Sequence, residues 1–225
     1  LKRKELNSKS RQQFYNYVLG QPFQDVSNAV VRNDIYNNRR ADLPNQLYDR
    51  GNYARISIGI DWGTRHWVSV MGLRNNGQVD LIRLFSVKES TSETDIESDL
   101  NAILYQIRAY RPDIVCADLG YNGNYVSKLI SEMGVGRVFG VQVNPAKSNG
   151  ATNPVWSETS SKVTIDKLTQ NRIFIQEMKA GRIGFWEEQD ETLSTYFMHW
   201  SNVVIRDAED NDGNVSKEIL RKGAD

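Results

Sequence analysis

An apolar run that ends in a carboxylate and then a turn glycine occurs twice in this chain. The first is Ile56-Ser-Ile-Gly-Ile-Asp61-Trp-Gly63-Thr64, in which Ile56, Ile58 and Ile60 alternate as a half-buried strand requires. The second, about 57 residues further on, is Ile114-Val-Cys-Ala-Asp118-Leu-Gly120. Crevices in open α/β sheets lie outside the carboxyl ends of strands, so each acid is expected in a crevice rather than on a flat face. Two such ends on neighbouring strands bring two negative charges together, which is costly unless a cation sits between them. The repeat therefore constrains the fold, by requiring adjacent strands, and points to a divalent metal.

The elements around the two acids follow from period and punctuation. Strands are expected over 54–62, 66–74 and 78–87, joined by the turn signals Gly63-Thr64-Arg65 and Asn75-Asn76-Gly77. Links this short force an antiparallel meander. Ile96, Leu100, Ile103, Leu104 and Ile107 recur at helical spacing, with a capping-box candidate at Thr94 and Glu97 and with Pro112 beyond the end. A strand over 113–118, a helix over 123–133 and a strand over 137–143 complete two βα steps. Residues 144–158 read as a long polar loop, of the kind that carries function or moves. Helices are expected over 160–179 and 189–199, and a closing hairpin pairs 202–209 with 215–221. Before the core, residues 9–19 read as a short helix and 22–53 as an extended polar arm.

A strand, helix and strand in one sheet cross over right-handed, and the crossover helix permits parallel pairing. Strand 113–118 beside strand 54–62 would then set Asp61 next to Asp118. The expected fold class is α/β and ribonuclease H-like. It has a central mixed five-stranded sheet (three antiparallel strands, then two parallel), flanking helices and a C-terminal β-hairpin. The domain division expected is 1–53 as helix and arm, and 54–225 as the main body.

Composition narrows the partners little. Lysine plus arginine and aspartate plus glutamate both number 28, so bulk charge gives no sign of nucleic acid, although a local basic stripe would suffice. The single Cys116 cannot form an internal disulfide and suits a reducing interior. No stretch approaches the roughly 20 apolar residues of a membrane span. The ends, Leu1-Lys-Arg-Lys-Glu and Lys222-Gly-Ala-Asp225, suggest a piece excised from a longer protein.

Two carboxylates at adjacent strand ends, with a third from a later element, can hold two Mg²⁺ or Mn²⁺ ions, because hard cations prefer carboxylate oxygen. Such a pair, about 4 Å apart, activates a water and stabilises the leaving oxygen in phosphodiester hydrolysis. Asp225, after the closing hairpin, is the leading third candidate. Asp113, at the opening end of its strand, and Glu132, at a helix end, are weaker.

Gly59-Ile-Asp61-Trp-Gly63, Ala117-Asp118-Leu-Gly120-Tyr121-Asn-Gly123 and the ending Lys222-Gly-Ala-Asp225 resemble the carboxyl-terminal nuclease domain of the large terminase subunit of tailed bacteriophages. The resemblance covers about residues 54–225. Phe14-Tyr-Asn-Tyr-Val-Leu-Gly-Gln-Pro-Phe23 is similar to the segment that joins the family's ATPase domain to its nuclease. It implies a Mg²⁺- or Mn²⁺-dependent endonuclease that cuts concatemeric double-stranded viral DNA during packaging, with Asp61, Asp118 and Asp225 as catalytic metal ligands. It also implies an upstream ATPase domain, the portal and the small terminase subunit as partners, and the host cell cytoplasm as the setting. The family's third acid is followed by a helix, and this sequence stops short of one. No Gly-x-x-x-x-Gly-Lys-Ser/Thr phosphate loop occurs, so ATP hydrolysis is not expected of these residues.

Candidate contacts to DNA phosphates are Arg65 and His66 in the first turn, Asn122 and Asn124 after the second acid, Lys147 in the long loop, and Lys162 and Lys167 beyond it. The acidic hairpin tip suits a protein partner. Other readings stay open. Ile-Asp-Trp-Gly-Thr64 also resembles the first phosphate loop of actin-like ATPases and sugar kinases, although the second glycine-rich motif those enzymes need does not fit here. A Holliday-junction-resolvase-like nuclease and a non-catalytic docking module of the packaging motor are the remaining alternatives.

Overall fold

The computed structural model describes residues 14, 18–19, 29–89, 96–121, 123–143, 153–187, 190–209 and 215–221. In chain order the elements are α1 (Arg32–Tyr36), β1 (Arg39–Arg40), β2 (Arg55–Asp61), β3 (Arg65–Leu73), β4 (Val79–Lys88) and α2 (Ile96–Arg108). Then come β5 (Ile114–Asp118), α3 (Gly123–Met133), β6 (Val138–Val143), β7 (Val155–Ser157), β8 (Lys162–Ile165) and α4 (Lys167–Lys179). The last are β9 (Ile183–Trp186), α5 (Glu191–Ser201), β10 (Val203–Glu209) and β11 (Val215–Arg221).

The fold is α/β, a mixed sheet flanked by helices, as the element order predicts. The centre of the sheet runs β4-β3-β2-β5-β6. β2, β3 and β4 form an antiparallel meander, while β5 and β6 add to β2 in parallel. β2, β4, β5 and β6 therefore all point one way, and their carboxyl ends share one edge. Both β4-α2-β5 and β5-α3-β6 step in the same direction across the sheet, so right-handed crossover puts α2 and α3 on one face. Ile58, Ile60, Val68, Val70, Val115 and Ala117 are buried in the core with Leu100, Ile103 and Ile107 of α2 and with Val126 and Leu129 of α3. The step from β8 through α4 to β9 runs the other way, which puts α4 on the opposite face.

The expected five-stranded sheet is corrected to nine strands among the described residues, in the order β1-β9-β4-β3-β2-β5-β6-β8-β7. The helix expected from residue 160 starts only at Lys167. Before it, the β-branched run Val163-Thr164-Ile165 pairs parallel with β6. Asp166 then caps the helix by accepting from the Thr169 N–H at 2.7 Å. Downstream, Ala180 and Gly181 (φ 74°) end α4 in the left-handed turn that suits glycine. The buried run Ile183–Trp186 then enters the sheet beside β4.

Residues 29–53, expected as an extended arm, hold α1 and β1 and send Val30, Ile35 and Leu43 into the same core. Buried Asp80 of β4 ties this stretch down by accepting from Arg40, from Arg74 Nε at 2.5 Å and from the Tyr53 hydroxyl at 2.8 Å. The helix expected over 9–19 and its partner residues lie almost wholly outside the described residues. The hairpin pairs as expected, Val203 opposite Arg221 through Glu209 opposite Val215. Among the described residues no helix is long and apolar enough to cross a membrane.

Candidate metal centre

β2 and β5 pair in parallel from Ser57 opposite Ile114 to Ile60 opposite Ala117. One residue on, each strand ends in its acid, so Asp61 and Asp118 lie on neighbouring strands about 4.8 Å apart in backbone spacing. The pleat decides where they point. Ile60 and Ala117 are buried against α2 and α3, so the next residue on each strand turns to the opposite face. There Asp61 is exposed and Asp118 half-buried. Register extends this row across the sheet, with Trp67 beside Asp61 and with Val141, Val163 and Trp156 in line beyond Asp118.

Asp118 Oδ1 accepts from the Gly120 N–H at 3.1 Å, the bond of a turn-capping aspartate. A carboxylate has about four acceptor positions, so that bond leaves capacity for a cation. The donor set is carboxylate oxygen, which fits a hard divalent ion. Cys116, two residues before Asp118, does not compete as a soft ligand, because burial pushes its thiol up to about 11.

Among the described residues no group of three or more His, Cys, Asp or Glu gathers to hold a metal. Asp225 lies outside the described residues, as do Asn122 and Lys147. Of the weaker candidates, Asp113 sits at the opening end of β5. Burial raises its pKa, but the Ile56 N–H and Arg50 outweigh this and hold the carboxyl below its ordinary value. Glu132 pairs with Arg108 at 2.6 Å on the surface of α3.

His66 is corrected as a phosphate contact. It shares the parity of Val68 and Val70, so it points to the α2–α3 side and is fully buried. Its Nδ1 accepts from the Gly63 N–H at 3.4 Å, and its ring lies edge-on to Trp62 and Tyr125 at 5.3 and 5.5 Å. Nε2 finds no hydrogen-bond partner among the described residues and stands 3.9 Å from Asp99. Burial holds the imidazole below its usual pKa, against the opposing pull of Asp99 and Glu89. His66 is thus a neutral prop under the turn that follows Asp61.

The remaining candidates divide by face. Arg65 is exposed on the acid face, where its guanidinium donates to Ser86 at 3.0 Å. Asn124 is exposed at the start of α3, and Lys167 is exposed at the carboxyl end of β8. Lys162 is corrected: it pairs with Gly140, which pairs with Ala117, so it stands on the face opposite the acids. Sequence reasoning missed His199 of α5, an exposed side chain whose ring lies 5.2 Å from that of Trp67 on the acid face. Nothing in the local sequence ties His199 to β3.

No family model matches the chain, and no curated protein matches it. Solved structures do. The large terminase nuclease from thermophilic phage G20c is 15% identical, with TM-score 0.49, over 81% of this chain and 84% of that one. A large terminase from another thermophilic bacteriophage is 13% identical, with TM-score 0.47, over 96% of this chain. This chain spans about half of that protein, 47%. The nuclease domain of the large terminase subunit of bacterial virus Sf6, a structure with manganese, is 11% identical, with TM-score 0.46, over 74% of this chain and 78% of that one. Solved structures to which this chain is similar thus include large terminase subunits and their nuclease domains, and Thermus thermophilus RuvC is matched over 38% of this chain, at 20% identity and TM-score 0.33.

Proposed function

We propose that this chain is a divalent-metal-dependent endonuclease that cuts double-stranded viral DNA during genome packaging, with little sequence preference. The observation that carries the reading is the pairing of β2 and β5. It brings two acids to one face of the sheet, at the carboxyl ends of neighbouring parallel strands. Asp61 and Asp118 would hold Mg²⁺ or Mn²⁺, with Asp225 as the third ligand. When bound, the ions supply Lewis-acid charge at the scissile phosphate and make a water nucleophilic at neutral pH.

The chain's own residues provide the rest. The two carboxylates orient the ions from a rigid ladder rather than from loops, which favours precise geometry. Arg65, on the same face, neutralises a phosphate and holds the duplex in register. Trp67 and Val141 flank the acids with apolar surface that limits water beside the reacting group. Residues 1–53 would connect to an ATPase domain upstream, and the portal and small terminase subunit would be partners in the host cytoplasm.

The test is a plasmid digestion series with EDTA, Mg²⁺ and Mn²⁺, run on the parent, Asp61→Asn and Asp118→Asn. Cleavage is expected only in the parent and only with a divalent ion. Equal cleavage by both variants would remove the assignment.

A further inference from the structure

β4 ends on the same edge as β2 and β5, and Glu89 follows it directly. Its backbone N–H donates to Thr64 O at 3.0 Å, in the turn after Asp61. Its side-chain Oε1 accepts from the Tyr121 hydroxyl at 2.6 Å, in the turn after Asp118. One residue thus bonds to both acid-bearing turns, at the point where the β2–β5 ladder has already ended at Ile60 and Ala117. The side-chain bond has the length of a charge-assisted phenol–carboxylate contact. It also raises the Tyr121 phenol pKa, as its first cause.

We infer that Glu89 and Tyr121 form a clip that sets the spacing between Asp61 and Asp118, and so act as positioning residues for the metal pair. This rests on the nuclease reading above. Glu89 is a positioning residue rather than a ligand, since β3 separates β4 from β2 and puts its strand two spacings, about 10 Å, from that of Asp61. The clip needs little of the core. Tyr121 is 46% exposed, so losing its hydroxyl leaves no cavity.

The experiment compares the 225-residue chain with Tyr121→Phe, Glu89→Ala and Glu89→Gln. Three readouts are needed: the Mn²⁺ dissociation constant by calorimetry without DNA, the Mn²⁺ concentration for half-maximal plasmid cleavage, and the metal-free melting temperature. Tyr121→Phe and Glu89→Ala are expected to bind Mn²⁺ about fivefold more weakly. That is less than the ten- to hundredfold typical of groups bonded directly to a ligand. Both should melt near the parent and recover its maximal rate at saturating Mn²⁺. Glu89→Gln keeps an acceptor for the phenol and should fall between parent and Glu89→Ala.

Parent-like Mn²⁺ affinity in both Tyr121→Phe and Glu89→Ala, with an active parent, overturns the clip alone. Glu89→Gln as damaging as Glu89→Ala, with Tyr121→Phe unaffected, overturns it in favour of direct ligation. A parent that neither binds Mn²⁺ nor cuts DNA defeats the nuclease reading, and the clip's role goes with it.

Discussion

Asp80→Asn removes one negative charge from between two guanidinium groups at the end of the sheet away from the acids. Asp80 is 0% exposed, and its partners Arg40 and Arg74 are 13% and 27% exposed. Breaking a buried pair by neutralising one member costs about 3–5 kcal/mol, since the remaining charge loses its compensation. Arg74 retains Asp42 at 2.6 Å, but that carboxylate is 65% exposed and screened, so it offsets little. Arg40 loses its charged partner, and the new amide must set an N–H₂ against another donor. Solvent access to both arginines puts the expected loss at the lower end, about 3 kcal/mol. For a domain of this size that is a fall of about 6–12 °C in melting temperature. Calorimetric melting of parent and variant measures it. A change under about 1 kcal/mol would refute the claim that this network, rather than apolar contact alone, fastens residues 40–53 to the sheet. Mn²⁺ affinity per folded molecule should stay at the parent value, because the network and the acids occupy opposite ends of the strands.

Three further outcomes follow from the geometry. Gly140→Ala would bring a Cβ to 2.5 Å from Leu119 Cγ. It should cost about 1–3 kcal/mol in urea denaturation and weaken Mn²⁺ binding by shifting the residue next to Asp118. His66 is held neutral by burial, so its folded pKa lies below the unfolded value of 6.5. Its contribution to stability is complete above that pH and is lost as pH falls, with a slope approaching about 1.4 kcal/mol per unit. His66→Phe should remove this component, so the stability gap between parent and variant narrows from pH 7.5 to about 5. Arg65→Ala should weaken duplex binding similarly on all sequences and reduce the log–log salt slope by about 0.9, read by fluorescence anisotropy.

The central strands were legible because their signals are local. Ile56, Ile58 and Ile60 alternate, and the tight links after Asp61 and Leu73 leave only a meander. The helix at 96–108 separates β4 from β5 and permits the parallel pairing that aligns the acids. β9 was not legible. Four apolar residues after a helix carry no period, and their partner Val79 is far away in sequence. β8 failed for the same reason, since its pairing with β6 is a tertiary gift to a run too short to declare itself. Within the site, alternation could have excluded His66, which shares the parity of Val68 and Val70. The face of Lys162 depended on the register between β8 and β6, which no sequence spacing encodes. The Glu89–Tyr121 bond joins residues 32 apart and was equally invisible.

Crystals soaked in Mn²⁺ and measured at the manganese absorption edge test the central claim most directly. Anomalous peaks are expected within about 2.0–2.3 Å of carboxylate oxygens of both Asp61 and Asp118, as hard divalent ions require. They should vanish in Asp61→Asn crystals grown the same way. Millimolar Mn²⁺ that leaves this edge empty, or that binds only elsewhere, would contradict the account.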